Sequence, residues 1–212
     1  MKIKWLGHAC FLITSISGVK ILTDPFDDTV GYRLPEEEAD IVLTSHNHFD
    51  HNNIDVVKGS FTHINEPGKT TVKGIQITGV STYHDENKGS KRGKNIVFKM
   101  DIDGVRVCHC GDLGHVLTEE QVKEIGDVDV LLVPVGGTFT VDAAGAMQVV
   151  KQLKPAVTIP MHYKTEDLSF NIDGVDKFLE LAGGGQRIKR QEIEIDTQTL
   201  SNYLGVVVLD YK

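Results

Sequence analysis

A continuously apolar run, Ile41-Val42-Leu43, passes directly into Thr44-Ser45-His46-Asn47-His48-Phe49-Asp50-His51. An apolar triplet of this kind suits a strand buried on both faces. The chain must therefore fold so that four metal-ligand-type side chains stand at the end of a buried strand. In extended backbone, residues two apart face the same side. His46 and His48 can then converge on one metal while Asn47 and Phe49 point away. Where the chain turns, Asp50 and His51 can face a second position beside the first. Neutral imidazole and carboxylate suit Zn²⁺, Mn²⁺ or Fe. Four such groups within six residues are hard to reconcile with a solvated loop.

The rest of the first third reads as short strands: apolar runs at 3–6, 10–13 and 19–22 are bounded by Gly, Ser or Asp. Residues 71–80 alternate as one strand, and 96–98 and 105–108 continue the series. Helices come later. Thr118 to Gln121 is a capping-box signature. Asp142 can cap a helix with the stripe Ala146, Val149, Val150 and Leu153, ended by Pro155. Val175, Phe178, Leu179 and Ala182 form a third stripe, stopped at Gly183, and 203–209 reads as a closing strand. The chain also echoes itself. Residues 18–24 resemble 104–112, each a strand then Asp, and 39–46 resemble 128–135. The offsets, 112 − 24 = 88 and 129 − 40 = 89, agree closely. They suggest two related halves, about 1–100 and 101–212, within a single domain of residues 1–212. Each half would be a β-rich unit followed by helices, with equivalent strand ends meeting at one sheet edge.

Composition narrows the function classes. Apolar residues at 40% and charged residues at 25% exclude a disordered chain. Lys+Arg 22 against Asp+Glu 30 gives a net charge of −8, which argues against nucleic acid or an anionic membrane as partner. No apolar run approaches the roughly 18 residues of a membrane span, and no signal-peptide core follows Met1. Three Cys, an odd number, make a disulfide framework unexpected and a reducing cytoplasm the expected compartment. The expected partner is a small-molecule substrate; a homo-oligomer is left open.

The His-x-His-x-Asp-His pattern after a buried strand resembles the metallo-β-lactamase superfamily. Leu22-Thr23-Asp24-Pro25, Ser81-Thr82-Tyr83-His84-Asp85, Gly111-Asp112, Pro134-Val135-Gly136-Gly137 and Pro160-Met161-His162-Tyr163 follow in the superfamily's order. The opening Trp5-Leu6-Gly7-His8-Ala9 resembles its small bacterial and archaeal metal-dependent hydrolase branch, related to the ascorbate-6-phosphate lactonases. The resemblance implies an α/β fold, an αββα four-layer sandwich of two mixed sheets flanked by helices. It also implies a two-metal site at one sheet edge. His46, His48 and His84 would bind the first ion, Asp50, His51 and His162 the second, and Asp112 would bridge. Asp24 is expected to accept a hydrogen bond from a ligand His and fix its tautomer.

The expected function is metal-dependent hydrolysis. A metal-bridged hydroxide would attack an ester, lactone, amide or phosphoester of a small anionic metabolite, with Asp50 and Asp112 as catalytic carboxylates. The ions would be two divalent cations, Zn²⁺ ahead of Mn²⁺ or Fe²⁺. Rival readings on the same fold are an iron-dependent oxidoreductase or dioxygenase, a tRNA-processing-type nuclease, and a non-catalytic metal-binding protein. Lys88, Lys91, Arg92 and Lys94 form the one basic cluster, four to ten residues after His84. Arg92 is the candidate anion anchor, and His8, His115 and Thr138 are further candidates to face substrate. Gly136-Gly137-Thr138, before a helix, could present amides to an anion. Cys108-His109-Cys110 lacks a second Cys/His pair and reads as structural.

Overall fold

The computed structural model describes residues 1–212. Its strands run in chain order β1 (Lys2–Gly7), β2 (Cys10–Thr14), β3 (Lys20–Thr23), β4 (Ile41–Leu43), β5 (Thr62–Ile64), β6 (Gly68–Val72), β7 (Ile75–Tyr83), β8 (Lys94–Ile102) and β9 (Val105–His109). They continue with β10 (Val130–Pro134), β11 (Val157–Met161), β12 (Gln186–Arg187), β13 (Glu192–Glu194) and β14 (Gly205–Val208). Three α-helices interleave: α1 (Glu119–Ile125), α2 (Ala143–Leu153) and α3 (Asp176–Ala182). One sheet has the order β13-β1-β2-β3-β4-β5, the other β12-β14-β11-β10-β9-β8-β7-β6. Both are mixed: antiparallel meanders pass into parallel strands at β3–β4 and at β9–β10. The α/β architecture of two mixed sheets is the one expected.

The apolar triplet Ile41-Val42-Leu43 shows why β4 must lie inside. Ile41 and Leu43 enter the main core between the sheets, while Val42 packs on the other face with Leu12, Leu22 and Phe26. On the second sheet, β10 and β11 are buried at every position. α1 lies against β7, and α2 lies against β10 and α3. Thr118 and Gln121 cap α1 reciprocally, Asp142 accepts from the Gly145 amide at the start of α2, and Gly183 at φ 78° ends α3.

Two expectations need correction. Residues 71–80 are not one strand. Lys73 and Gly74 both have positive φ, 48° and 82°, and turn the chain between β6 and β7. That is the backbone of a tight two-residue hairpin, which alternation of side chains alone does not reveal. The halves are also unequal: all three α-helices lie after residue 112. The first half contributes 3₁₀ turns, Asp28–Val30 and Ile54–Val56. Phe26, Val30, Tyr32, Leu168 and Ile172, from loops, form the small core on the outer face of the first sheet. No helix is long and apolar enough to cross a membrane.

Phe178 carries α3 into the main core with no exposed surface. Phe178→Ala is expected to cost about 3–5 kcal/mol, the usual range for an aromatic-to-alanine cavity. The check is a denaturant titration; an unchanged midpoint would mean that this ring does not dock the helix.

Candidate metal centre

Strand ends from both sheets meet at one edge, and each delivers a polar group. β3 ends at Asp24, β4 runs into 44–51, β7 into His84, β9 into Asp112 and β11 into His162. Hydrogen bonds fix these approaches. The Asp24 amide donates to Leu43, Ile96 donates to Ser45, and the Asp112 amide donates to the side chain of Asn95. Gly111 is required here: at φ 54°, its added Cβ would lie 2.4 Å from the Ser45 side chain. Asn95 had no signal in the sequence, because its role comes from a contact between β8 and the end of β9.

The donors form two groups joined by a carboxylate. His46, His48 and His84 make one, and Asp50, His51 and His162 make the other, joined by His8. Asp112 stands between them. Its Oδ2 lies 3.1 Å from His84 Nε2 and 3.3 Å from His162 Nε2, and its Oδ1 lies 3.2 Å from His51 Nε2. The seven residues expected to bind metal are therefore brought together.

Hydrogen bonding determines which nitrogen of each ring faces inward. Asp24 accepts from the Ser45 amide and hydroxyl, each at 2.7 Å, and from His51 Nδ1 at 2.9 Å. The Ser45 hydroxyl proton is thereby committed, so His46 Nδ1 donates to Ser45 Oγ at 2.9 Å. His84 Nδ1 donates to the Phe139 carbonyl at 3.1 Å. In all three rings Nε2 is the nitrogen left facing the cluster. His46, His51 and His162 each bury an Nε2 with no hydrogen-bond partner, as Asp112 does its Oδ1. Buried polar atoms without partners are rare and need an explanation. A cation between them supplies one.

Electrostatics agrees. Asp24, Asp50 and Asp112 are buried, and their only basic neighbours within 4 Å are histidines. Burial pushes the Asp112 carboxyl up, but His162 and His51 outweigh it and hold it well below the usual range. Burial likewise opposes a charged His51, yet Asp112, Asp50 and Asp24 together raise it well above an ordinary imidazole: with no cation among them the carboxylates draw a proton to this ring, and a metal would take that proton's place. Burial, reinforced by His51, lowers His46 to about 3. Burial, reinforced by His162, lowers His8 to about 4. Both are neutral at pH 7, the form a metal requires. The donor set thus fits a metal site of hard and borderline ligands.

The substrate-facing candidates divide differently. His8 is wholly buried, and its Nε2 lies 3.3 Å from Asp50 Oδ2, so it supports the donor group rather than facing substrate. The backbone bends at Gly7-His8, with φ of 105° and 51°, and this turns the ring inward. His115 has both nitrogens committed to backbone: one accepts from Tyr83, the other donates to Val116. It leaves nothing for a ligand. The 136–138 turn does not present an anion cradle, since the Gly136 and Gly137 amides donate to His162 and Val141 and Asp142 caps α2. Thr138 contributes its carbonyl, which accepts from Arg92 Nη2 at 3.2 Å. His109 bridges the sheets, donating to the Ala9 carbonyl, and Cys108 and Cys110 are buried and free.

The basic loop is shaped by one carboxylate. Asp85 accepts the amides of Asn87, Gly89, Lys91 and Arg92 at 2.7–3.0 Å. This ring of bonds delivers Arg92 to the rim of the donor cluster, its guanidinium 4.9 Å from the Phe139 ring centroid.

Comparison with known proteins gives the same answer. A family profile described as the beta-lactamase superfamily domain matches residues 2–162. The chain belongs to that superfamily. A metal-dependent hydrolase of Thermoplasma acidophilum, grouped as UPF0173, is 34% identical over 79% of this chain and 85% of its own. A similar protein of Archaeoglobus fulgidus is 32% identical over 78% and 84%. Among solved structures, one assigned as a zinc-dependent hydrolase of the metallo-β-lactamase superfamily from Thermotoga maritima is 46% identical. It covers 98% of this chain and 97% of its own, with a TM-score of 0.82. An isothiocyanate hydrolase from Delia radicum gut bacteria has the same fold at 14% identity, with a TM-score of 0.70 over 100% of this chain and 97% of its own. This superfamily member is a metal-dependent hydrolase.

Asp24 fixes the two inward-facing ring nitrogens without itself standing among the grouped donors. Asp24→Asn places an amide where a carboxylate accepted three hydrogen bonds. The variant is expected to fold and to lose about 10–100-fold in metal affinity. Competition against a chromogenic chelator measures this, and an unchanged dissociation constant would reduce Asp24 to a turn residue.

Proposed function

We propose that this metal-dependent hydrolase uses two divalent ions, zinc first among the candidates, to cleave an ester, lactone, amide or phosphoester in a small anionic molecule. The observation that carries the reading is the pair of donor groups sharing Asp112, with partnerless buried nitrogens on both sides. His46, His48 and His84 would hold one ion, and Asp50, His51 and His162 the other. When bound, such ions supply Lewis acidity and bring the pKa of water toward about 7.

The chain's own residues do the rest. Asp112 contributes a negative charge to both groups and keeps them at a fixed separation. Asp50 is held on one oxygen by His8 and borders the cavity, where it can accept a hydrogen bond from the reacting molecule. That cavity, about 270 Å³, opens onto His48, Asp50, His84 and Asp112. A neighbouring recess of about 490 Å³ runs past His46 and His48 toward Lys94 and Glu66. Arg92 borders both. Its planar fork suits a carboxylate or phosphate, and the surrounding net charge of −8 disfavours a long polyanion.

Two measurements test this. Elemental analysis of the purified or reconstituted protein should give two transition-metal ions per chain, and His48→Ala or Asp112→Ala should remove at least one. A protein that retains no metal after reconstitution would sink the reading. Arg92→Ala should raise KM for an anionic ester more than for its neutral analogue, by about 1.5–3 kcal/mol for a charge-assisted hydrogen bond. The gap should narrow at high salt; equal changes for both substrates would remove Arg92 as the anchor.

A further inference from the structure

The cavity over the donor cluster has a second chemistry. Phe49, Phe139 and Phe170 line it together with the metal-ligand candidates. They come from three separate segments: the 44–51 loop, the turn before α2, and the loop after β11. Phe170 stands in the middle, 6.2 Å from each of the other two rings, and meets both edge to face. Phe49 is 56% exposed and Phe139 36%. Large aromatic rings left exposed singly need no explanation, but three linked through Phe170 beside a polar centre mark a binding surface.

The rings are held in place. Lys164 Nζ donates to the carbonyls of Leu168 and Phe170, and Ser169 bonds to the backbone at Thr29 and Val30. The Phe139 carbonyl accepts from His84 Nδ1, so the segment that presents this ring also orients a donor of the cluster. Arg92 lies over the Phe139 face. An occupant of the cavity therefore meets aromatic surface on one side, a guanidinium at the rim and the donor cluster at the base. The space suits a ring: an apolar cavity of roughly 150 Å³ holds benzene, and this one has about 270 Å³.

Resting on the hydrolase reading above, we infer that the substrate carries an aryl group beside its anionic group, and that Phe49, Phe139 and Phe170 seat that ring. The three phenylalanines are then specificity-determining residues. Burying a phenyl ring against them should tighten binding about tenfold or more over a methyl group in the same position.

The test is calorimetric binding of methylphosphonate and phenylphosphonate to the metal-reconstituted protein, which needs no turnover. The expected result is phenylphosphonate at least tenfold tighter, with the ratio falling below threefold in Phe170→Ala. Phe49→Ala, at an exposed position where folding is not at stake, should lower the ratio as well. Equal affinities in the unaltered protein, or a tenfold ratio kept in both variants, would overturn the inference while leaving the hydrolase reading intact. Binding of neither phosphonate would overturn the anion-binding metal centre itself, and the aryl inference with it.

Discussion

One carboxylate, that of Asp24, organises the centre. It accepts three hydrogen bonds, two from Ser45 and one from His51. Each does more than satisfy a donor. The bond from His51 Nδ1 turns that ring's Nε2 toward Asp112. The bond from the Ser45 hydroxyl consumes the proton that His46 would otherwise receive, and so turns His46 as well. Burial pushes Asp24 up, but the His51 hydrogen bond and the neighbouring histidines outweigh it and keep the carboxyl ionised. A neutral acid here would reverse the proton assignments around it. The position depends in turn on the fold: Asp24 follows β3, whose parallel pairing with β4 sets it beside the start of the histidine loop.

The same logic explains why the site lies where the two sheets meet. Neither sheet holds a complete donor set. The first supplies Asp24 and residues 44–51, and the second supplies His84, Asp112 and His162. Contacts across the seam lock the two together. His109 on β9 donates to Ala9, His162 donates its amide to the His8 carbonyl, and Gly111 packs against Ser45 without a Cβ. Packing of the main core therefore sets the donor geometry, because a shift of one sheet against the other would part Asp112 from His51.

Much of this was legible in the sequence, for identifiable reasons. β4 and the ligand loop could be read because an uninterrupted apolar triplet and a two-residue histidine spacing are local patterns. The three helices could be read from caps at Thr118, Asp142 and Gly183. The positions of Asp24 and Asp112 after equivalent strands suggested a shared edge. What was not legible depends on contacts distant in the chain. Asn95, the four-amide grip of Asp85 and the withdrawal of His115 onto backbone have no local signature. The 136–138 turn looked like an anion cradle because its glycines are conspicuous, but in the fold their amides are spent on His162 and Val141. Phe49, expected to point away from the metal, instead lines the cavity that opens onto the donors, in a cluster with Phe139 and Phe170 that only the tertiary structure assembles.

The centre is also where local backbone preference is set aside. His8, Asp24, Thr138 and His162 all adopt positive φ, between 41° and 59°, in the region that costs most residues free energy. Each is over-determined by its surroundings. The His8 carbonyl accepts from Trp5 Nε1 and from the His162 amide, the Asp24 side chain is gripped by Ser45 and His51, and the Thr138 carbonyl receives Arg92. The left-handed residues are what let short strand ends turn inward together. Three buried carboxylates and partnerless ring nitrogens add a second cost at the same place, because burying charge without compensation is strongly unfavourable. The core supplies enough burial to hold this arrangement, but the electrostatic demand is met in full only by positive charge at the centre. Metal binding and the stability of this edge are therefore one equilibrium rather than two: the geometry that makes the donors converge is the geometry that a bound cation stabilises.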